Sequence, residues 1–222
     1  MTAEATLRMD RMYRYQRHIY DLSRKFYLLG RDRLIRGLAL ASRARICEIG
    51  CGTGRNLVAL ARRYPDAEIF GIDASNEMLK TARAAIARAG LSRRIRIERC
   101  LAEELDPATF GLSERFDAIV FSYTLSMIPD WDRAVDRAVE VLKPGGALAI
   151  VDFSEQRSLP RWFRDSLRRW LTLFDVRPRA GLPDHLRAVA QREHGSLTVE
   201  PLYRDYACLL RYQRPRVVIR LD

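Results

Sequence analysis

Ala44-Arg45-Ile46-Cys47-Glu48-Ile49-Gly50-Cys51-Gly52-Thr53-Gly54 is a short, mostly apolar segment that runs straight into three alternating glycines. Beyond it, residues 55–64 place Leu57, Leu60 and Ala61 on one face of a predicted helix. Strand, glycine turn and helix in that order let backbone pass close to a ligand and offer the free N–H groups of a helix N-terminus. Open α/β sheets bind their ligands at such a turn, at the carboxyl end of the first strand. A dinucleotide fits less well. The glycine spacing differs from the dinucleotide fingerprint by one residue, and Arg55 stands where that fingerprint has glycine or alanine. Glu48, two residues before Gly50, would repel a pyrophosphate and suits a cationic ligand.

The strand–helix rhythm continues outward from this turn. Residues 67–72 read as a second strand, 75–89 as a helix with Ser75 and Glu77 in its first turn, and 95–99 as a third strand. Residues 116–122 are nearly all apolar, as buried parallel strands are. A helix over 131–142 is closed by Lys143-Pro144-Gly145-Gly146, and 147–153 is a fifth strand. After Phe153 the rhythm breaks. Residues 160–174 read as a helix with Trp162, Phe163, Leu167, Trp170, Leu171 and Phe174 on one side and Arg161, Arg164, Arg168 and Arg169 largely on the other. A shorter helix spans 184–192, and the alternation over 196–219 predicts a strand pair. The expected fold is therefore α/β. It has a Rossmann-like, mostly parallel sheet of seven strands, helices on both faces, and a C-terminal antiparallel pair. Residues 1–40, with apolar residues at helical spacings, read as an N-terminal helical lid. Residues 41–222 read as the main domain, with a helical insertion near 155–195 facing substrate or membrane.

Nineteen residues past Gly54, at the end of the second strand, stands Asp73 in Gly71-Ile72-Asp73-Ala74-Ser75. A carboxylate there accepts hydrogen bonds from ribose hydroxyls or caps the following helix, and the two roles are compatible.

These residues resemble the class I S-adenosylmethionine-dependent methyltransferases over residues 44–153, through Glu48 to Gly54, Asp73, the 116–122 strand and Leu142-Lys143-Pro144-Gly145-Gly146. The resemblance implies S-adenosylmethionine as cofactor. The turn Gly50, Cys51, Gly52, Thr53 and Gly54, helped by Glu48, would hold its methionine end. Asp73 and Ala74 would hold the ribose, Met78 would pack on the adenine, and Leu101 and Ala102 would lie at the adenine edge. Many relatives have an aspartate where Leu101 stands, so backbone of Leu101 and Ala102 would take over that recognition. Ser122 and Tyr123 would line the cleft where methyl transfer occurs. Residues 9–32, beginning Met9-Asp10-Arg11-Met12-Tyr13-Arg14-Tyr15-Gln16-Arg17-His18-Ile19-Tyr20-Asp21, resemble the start of bacterial betaine-lipid N-methyltransferases. Those enzymes trimethylate the amine of a diacylglyceryl homoserine lipid. Phospholipid N-methyltransferases share much of the pattern.

Transfer from a sulfonium is an in-line displacement that requires alignment and exclusion of water, with no metal and no covalent nucleophile. Tyr20, as a lid residue near the methyl, and Tyr123 and Asp152, as acceptors at strand ends, are the candidate catalytic residues, and Asp152 reads equally as a strand-end cap. Tyr13, Tyr20, Tyr27, Tyr123 and Trp131 are candidates for an aromatic cage around a fixed cation, or for plain core.

Composition is consistent with this class. With 222 residues, 48% hydrophobic and 30% charged, the chain reads as globular and not disordered. Its longest apolar runs fall short of the ~18 residues of a membrane span, and residues 1–10 show no secretory signal. The four cysteines lack metal or disulfide spacing and read as buried thiols in a reducing cytoplasm. A net charge of +11, carried almost wholly by arginine, points to an anionic partner or simply to arginine-rich coding. The basic, tryptophan-rich 160–174 helix reads as lying on an anionic membrane surface or packing on its own domain. Together these predict an N-methyltransferase for a lipid head-group amine, cytoplasmic and peripheral on the inner face of the membrane. Phosphatidylethanolamine and a quinone precursor are the alternative substrates. An RNA methyltransferase or an inactive cofactor-binding module is further off, because no recognisable RNA-binding appendage is present and no nucleic-acid partner is expected. Oligomeric state stays open.

Overall fold

The computed structural model describes residues 28–216. The elements run α1 (Arg31–Arg36), β1 (Arg45–Ile49), α2 (Arg55–Arg63), β2 (Glu68–Asp73), α3 (Asn76–Arg88), β3 (Ile95–Arg99), β4 (Phe116–Ser122), α4 (Trp131–Glu140), β5 (Leu142–Phe153), α5 (Arg161–Thr172), α6 (Leu182–Arg192), β6 (Ser196–Leu202) and β7 (Ala207–Gln213). The seven strands form one sheet in the order β3-β2-β1-β4-β5-β7-β6. The pairings among β1 to β5 are parallel, and β7 runs antiparallel to both its neighbours. From β1 the chain winds outward through β2 and β3, then returns to the other side of β1 as β4. That reversal opens a crevice at the carboxyl ends of β1 and β4, where ligands of such sheets sit.

Both faces of the sheet are covered. On one face Leu57, Leu60, Leu79 and Ile86 pack against Ile46, Ile69 and Val120. On the other, Val135, Val139, Leu186 and Val189 pack against Phe116, Phe121 and Leu210. The rings of Phe70, Phe110 and Phe116 close the second layer at centroid distances of 4.9 to 6.3 Å. The Tyr64 hydroxyl lies 2.8 Å from the carbonyl oxygens of both Ile35 and Leu38, tying the end of α2 to α1. Residues 1–27, including Tyr13, Tyr20 and Tyr27, lie outside the described residues, so only the end of the expected N-terminal lid is seen. Among the described residues no helix is long and apolar enough to cross a membrane.

Two expectations are corrected. The Lys143-Pro144-Gly145-Gly146 segment does not separate helix from strand: α4 stops at Glu140, and β5 begins at Leu142 and passes through it. Phe116 pairs with Leu142 but Ala118 pairs with Ala147, so the intervening residues bulge out of the ladder. Proline, which cannot donate to a ladder, and Gly145 at φ +75° make that bulge possible. The second correction concerns α5. Leu167, Trp170, Leu171 and Phe174 do face the core, but Trp162 is 73% exposed and Phe163 39%. Trp162 and Leu171 are nine positions apart, about two and a half helical turns, so one must face out when the other faces in.

Replacing a fully buried side chain of the central strand, Phe121→Ala, is expected to cost about 3–5 kcal/mol in urea unfolding. Leu173→Ala, at a position 71% exposed, is expected to change stability by less than about 0.5 kcal/mol. Equal losses would contradict the assigned core.

Candidate functional site

A cleft of about 500 Å³ opens at the carboxyl ends of β1, β2 and β4. Its floor begins with β1. Alternation sends Ile46 and Glu48 to the side covered by α2 and leaves Cys47 and Ile49 on the other face. Glu48 is 2% exposed. Its Oε1 accepts a 2.7 Å hydrogen bond from Asn56 Nδ2, while the buried Oε2 has no hydrogen-bond partner among the described residues. Burial pushes the carboxyl up to about 8, against the opposing pull of the Asn56 hydrogen bond.

Above Glu48 the chain turns sharply. The N–H groups of Gly50 and Cys51 both donate to the Ile72 carbonyl, at 2.8 and 2.9 Å, which clamps the turn onto β2. Gly50 has φ +69°, and a Cβ on it would stand 2.2 Å from the Thr124 methyl. Gly54, at φ +78°, admits the close approach of Ala82 on α3 in the same way. Asp73 at the end of β2 accepts from Gly52 N–H at 2.8 Å through Oδ2 and from Ser75 N–H at 2.9 Å through Oδ1. The cap of α3 is Ser75, whose hydroxyl accepts from Met78 N–H. Asp73 thus fixes the glycine turn from across the crevice.

The structure brings all the candidate cofactor residues to this one cleft: Glu48, the turn from Gly50 to Thr53, Asp73, Ala74, Met78, Leu101, Ala102 and Ser122 line it, and Gly54 starts the helix beside it. The candidate catalytic residues divide. Tyr123 lines the cleft at φ +57°, and its hydroxyl donates to the Leu29 carbonyl at 2.6 Å. Burial raises its phenol well above the ordinary range, so it is a neutral hydrogen-bonding group and no general base. Asp152 does not line the cleft. Its Oδ1 accepts from Phe153 N–H and its Oδ2 from Ser126 N–H, so it braces the turn behind β4, and burial raises it to about 6. Tyr20 lies outside the described residues. Trp131 is also no part of the cleft: its ring stacks edge-on to His185, which sits 3.0 Å from Asp136.

Sequence reasoning missed three contributors. Asn56 is a buried polar residue one position into α2, on the helix's apolar face, and that misplacement was its signal. Arg55 steadies it: the guanidinium donates to Asn56 Oδ1 at 2.9 Å and pairs with Asp32 of α1 at 2.8 Å. Asp32, Arg55, Asn56 and Glu48 thereby form one hydrogen-bonded chain from α1 to the floor of the cleft. Thr124 packs against Gly50, joining the ends of β1 and β4.

The comparisons agree with this geometry. Residues 46–146 match the model of a methyltransferase domain family. The ubiquinone/menaquinone biosynthesis C-methyltransferase UbiE of Syntrophotalea carbinolica is 33% identical over 141 residues, which are 61% of this chain and 57% of that protein. A phosphatidylethanolamine N-methyltransferase of Cereibacter sphaeroides is 33% identical over 108 residues, 49% of this chain and 50% of that protein. The chain spans between 35% and 60% of the length of the first five curated relatives. Among solved structures, a possible histamine N-methyltransferase from Thermotoga maritima superposes with a TM-score of 0.65 at 18% identity, covering 92% of this chain and 99% of that one. This last likeness concerns the fold.

The residues present fit S-adenosylmethionine, the cofactor of that domain. The unpartnered Oε2 of Glu48 is an acceptor waiting for a cationic donor such as an α-ammonium, and Asp73 stands where ribose hydroxyls would be held. Folding favours the neutral Glu48 acid, so its stabilising contribution is complete below its ordinary value of 4.5 and is lost as pH rises to about 8. Glu48→Gln is therefore expected to become more stable relative to wild type across that interval in urea unfolding. The same variant is expected to bind S-adenosylmethionine roughly tenfold to a hundredfold more weakly by calorimetry, since a charged hydrogen bond is worth about 1.5–3 kcal/mol. Unchanged affinity would detach Glu48 from the ligand. Residues 46–146 match a methyltransferase domain, and the cleft they build fits S-adenosylmethionine.

Proposed function

We propose that the chain is an N-methyltransferase that converts the head-group amine of a diacylglyceryl homoserine lipid into a trimethylated betaine. The observation that supports it best is the wall of the cleft beside Tyr123. Met127, Ile128, Pro129, Phe153 and Val176 line that end, an apolar surface continuous with a neutral, buried phenol. The bound cofactor supplies an electrophilic methyl group on a positively charged sulfur. What the chain must add is position, dryness and a proton-free amine. An apolar wall disfavours the ammonium form of an incoming amine, so the proton is left to water at the mouth. The Tyr123 oxygen, whose own hydrogen is committed to Leu29, presents lone pairs that accept an N–H of the amine and aim its nitrogen. With the cofactor bound, the amine would take its methyl group and its positive charge together, so neither Tyr123 nor the apolar wall would have to change charge. Repeating this three times requires the product amine to lose a proton between turns, until the quaternary stage has none to lose.

The string over residues 9–32 supports the homoserine head group, and the Cereibacter sphaeroides relative favours a lipid amine in general. A second reading, methylation of a lipophilic quinone precursor, is favoured by the UbiE likeness. Purified protein with methyl-labelled S-adenosylmethionine and each of diacylglyceryl homoserine, phosphatidylethanolamine and a demethylated quinone precursor separates them. The expected result is label in the organic phase on the trimethylated homoserine lipid. Label on the quinone alone, or on none, overturns the reading. Tyr123→Phe is expected to lower kcat about tenfold, the worth of one hydrogen bond, with a smaller change in KM.

A further inference from the structure

Helix α5 carries apolar side chains that the fold does not use. Trp162, Ser166, Arg169 and Leu173 follow one another at spacings of four, three and four, which makes a single stripe along the helix and its C-terminal end. That stripe faces away from Leu171 and Phe174, which hold the helix to the core. Trp162 at its start is 73% exposed and Leu173 at its end 71%, with Phe163 beside it at 39%. The segment that leads into α5 is fixed to the turn between β6 and β7. Asp205 of that turn accepts hydrogen bonds from the Ser154 hydroxyl and from Arg157 N–H, and the Gln156 N–H donates to its carbonyl. The same turn carries Tyr203, 54% exposed, and Arg204. The large exposed apolar residues of the described chain therefore all fall on α5 and its end or on the turn tied to it.

The charge around them is mainly positive, although Glu155 pairs with Arg157 and Asp175 follows the helix. Arg161, Arg164, Arg168 and Arg169 stand on α5 against a single acid, Asp165, which pairs with Arg164. Arg157 on the leading segment is also exposed. A stripe with tryptophan and leucine at its ends, flanked by arginines and with a tyrosine nearby, matches the chemistry of a bilayer interface: acyl chains below, anionic head groups at the level of the guanidinium groups. The surface lies next to the methyl-transfer end of the cleft, since Phe153, just before the leading segment, and Val176, just after α5, both line that end.

We propose that α5 and the β6–β7 turn form a docking surface for an anionic phospholipid bilayer, which presents a head group to the cleft. This rests on the lipid reading above but is tested apart from it. Co-sedimentation uses vesicles of phosphatidylcholine with phosphatidylglycerol, which contain no methylatable amine, against vesicles of phosphatidylcholine alone. The expected result is binding to the anionic vesicles, weakened by salt, and little binding to the neutral ones. Trp162→Ala with Leu173→Ala is expected to reduce that binding on the order of tenfold. Arg161→Gln and Arg169→Gln are expected to reduce it roughly fivefold each, and only on anionic vesicles. Cofactor affinity, read by calorimetry on the same variants, is expected to stay unchanged. Failure of the wild type to bind anionic vesicles at low salt overturns the proposal, as does undiminished binding by the Trp162/Leu173 double variant. A concentration-dependent dimer in sedimentation velocity that the double variant abolishes assigns the stripe to a second copy of the chain instead. Methylation of lipid dispersed in detergent micelles reads the catalytic proposal alone, so either can fail while the other stands.

Discussion

A carboxylate withdrawn from water with only half of its hydrogen bonds made is the constraint around which the site is arranged. Glu48 sits on the buried second-to-last position of β1, beneath the glycine turn, with Asn56 on one oxygen and no hydrogen bond on the other among the described residues. An unmatched buried acceptor costs stability, and one on the floor of a cleft is placed where a ligand can complete it. The surroundings are consistent with such a purpose. Gly50 lets the turn lie against Thr124, Asp73 fixes Gly52 from the next strand, and the clamp of Gly50 and Cys51 on the Ile72 carbonyl holds the turn open above the carboxylate. A cationic donor suits the unmatched Glu48 oxygen better than a diphosphate does, which fits a sulfonium nucleoside.

The cleft has two ends of different character, and the difference follows from sheet topology. Residues from β1 and β2 supply carboxylates and backbone donors, whereas those after β4 and β5 supply Met127, Ile128, Phe153 and the neutral Tyr123. The polar end suits a nucleoside, and the apolar end excludes water. The Asp32–Arg55–Asn56–Glu48 chain links the polar end to α1, the element nearest the N-terminal segment. Its outer pair is exposed and individually weak. Its use is orientation: Arg55 occupies the amide oxygen of Asn56 and so turns the amide nitrogen toward Glu48.

Much of the fold was legible because its strands are short apolar runs with sharp ends. The third and fourth strands have the predicted bounds, and the first, second and fifth differ at their ends. The cofactor end was legible too, since glycines that need positive φ and acids at strand ends leave a mark in sequence. What escaped depended on neighbours. The Lys143–Gly146 bulge arises from pairing with β4, which no local pattern shows. Asp152 reads either as a proton acceptor or as a strand-end cap, and only the backbone N–H groups of Phe153 and Ser126 decide for the cap. Trp162 was grouped with Leu171 because both are apolar, although helical phase puts them on opposite sides.

The central claim is that Glu48 and Asp73 anchor one sulfonium-type nucleoside under the glycine turn. The most direct test is a crystal structure of the protein with S-adenosylhomocysteine, which keeps the ammonium and the ribose. The account predicts the ammonium within about 3 Å of the free Glu48 oxygen and the ribose hydroxyls on Asp73. A ligand seated elsewhere, or with its ammonium turned away from Glu48, would contradict it.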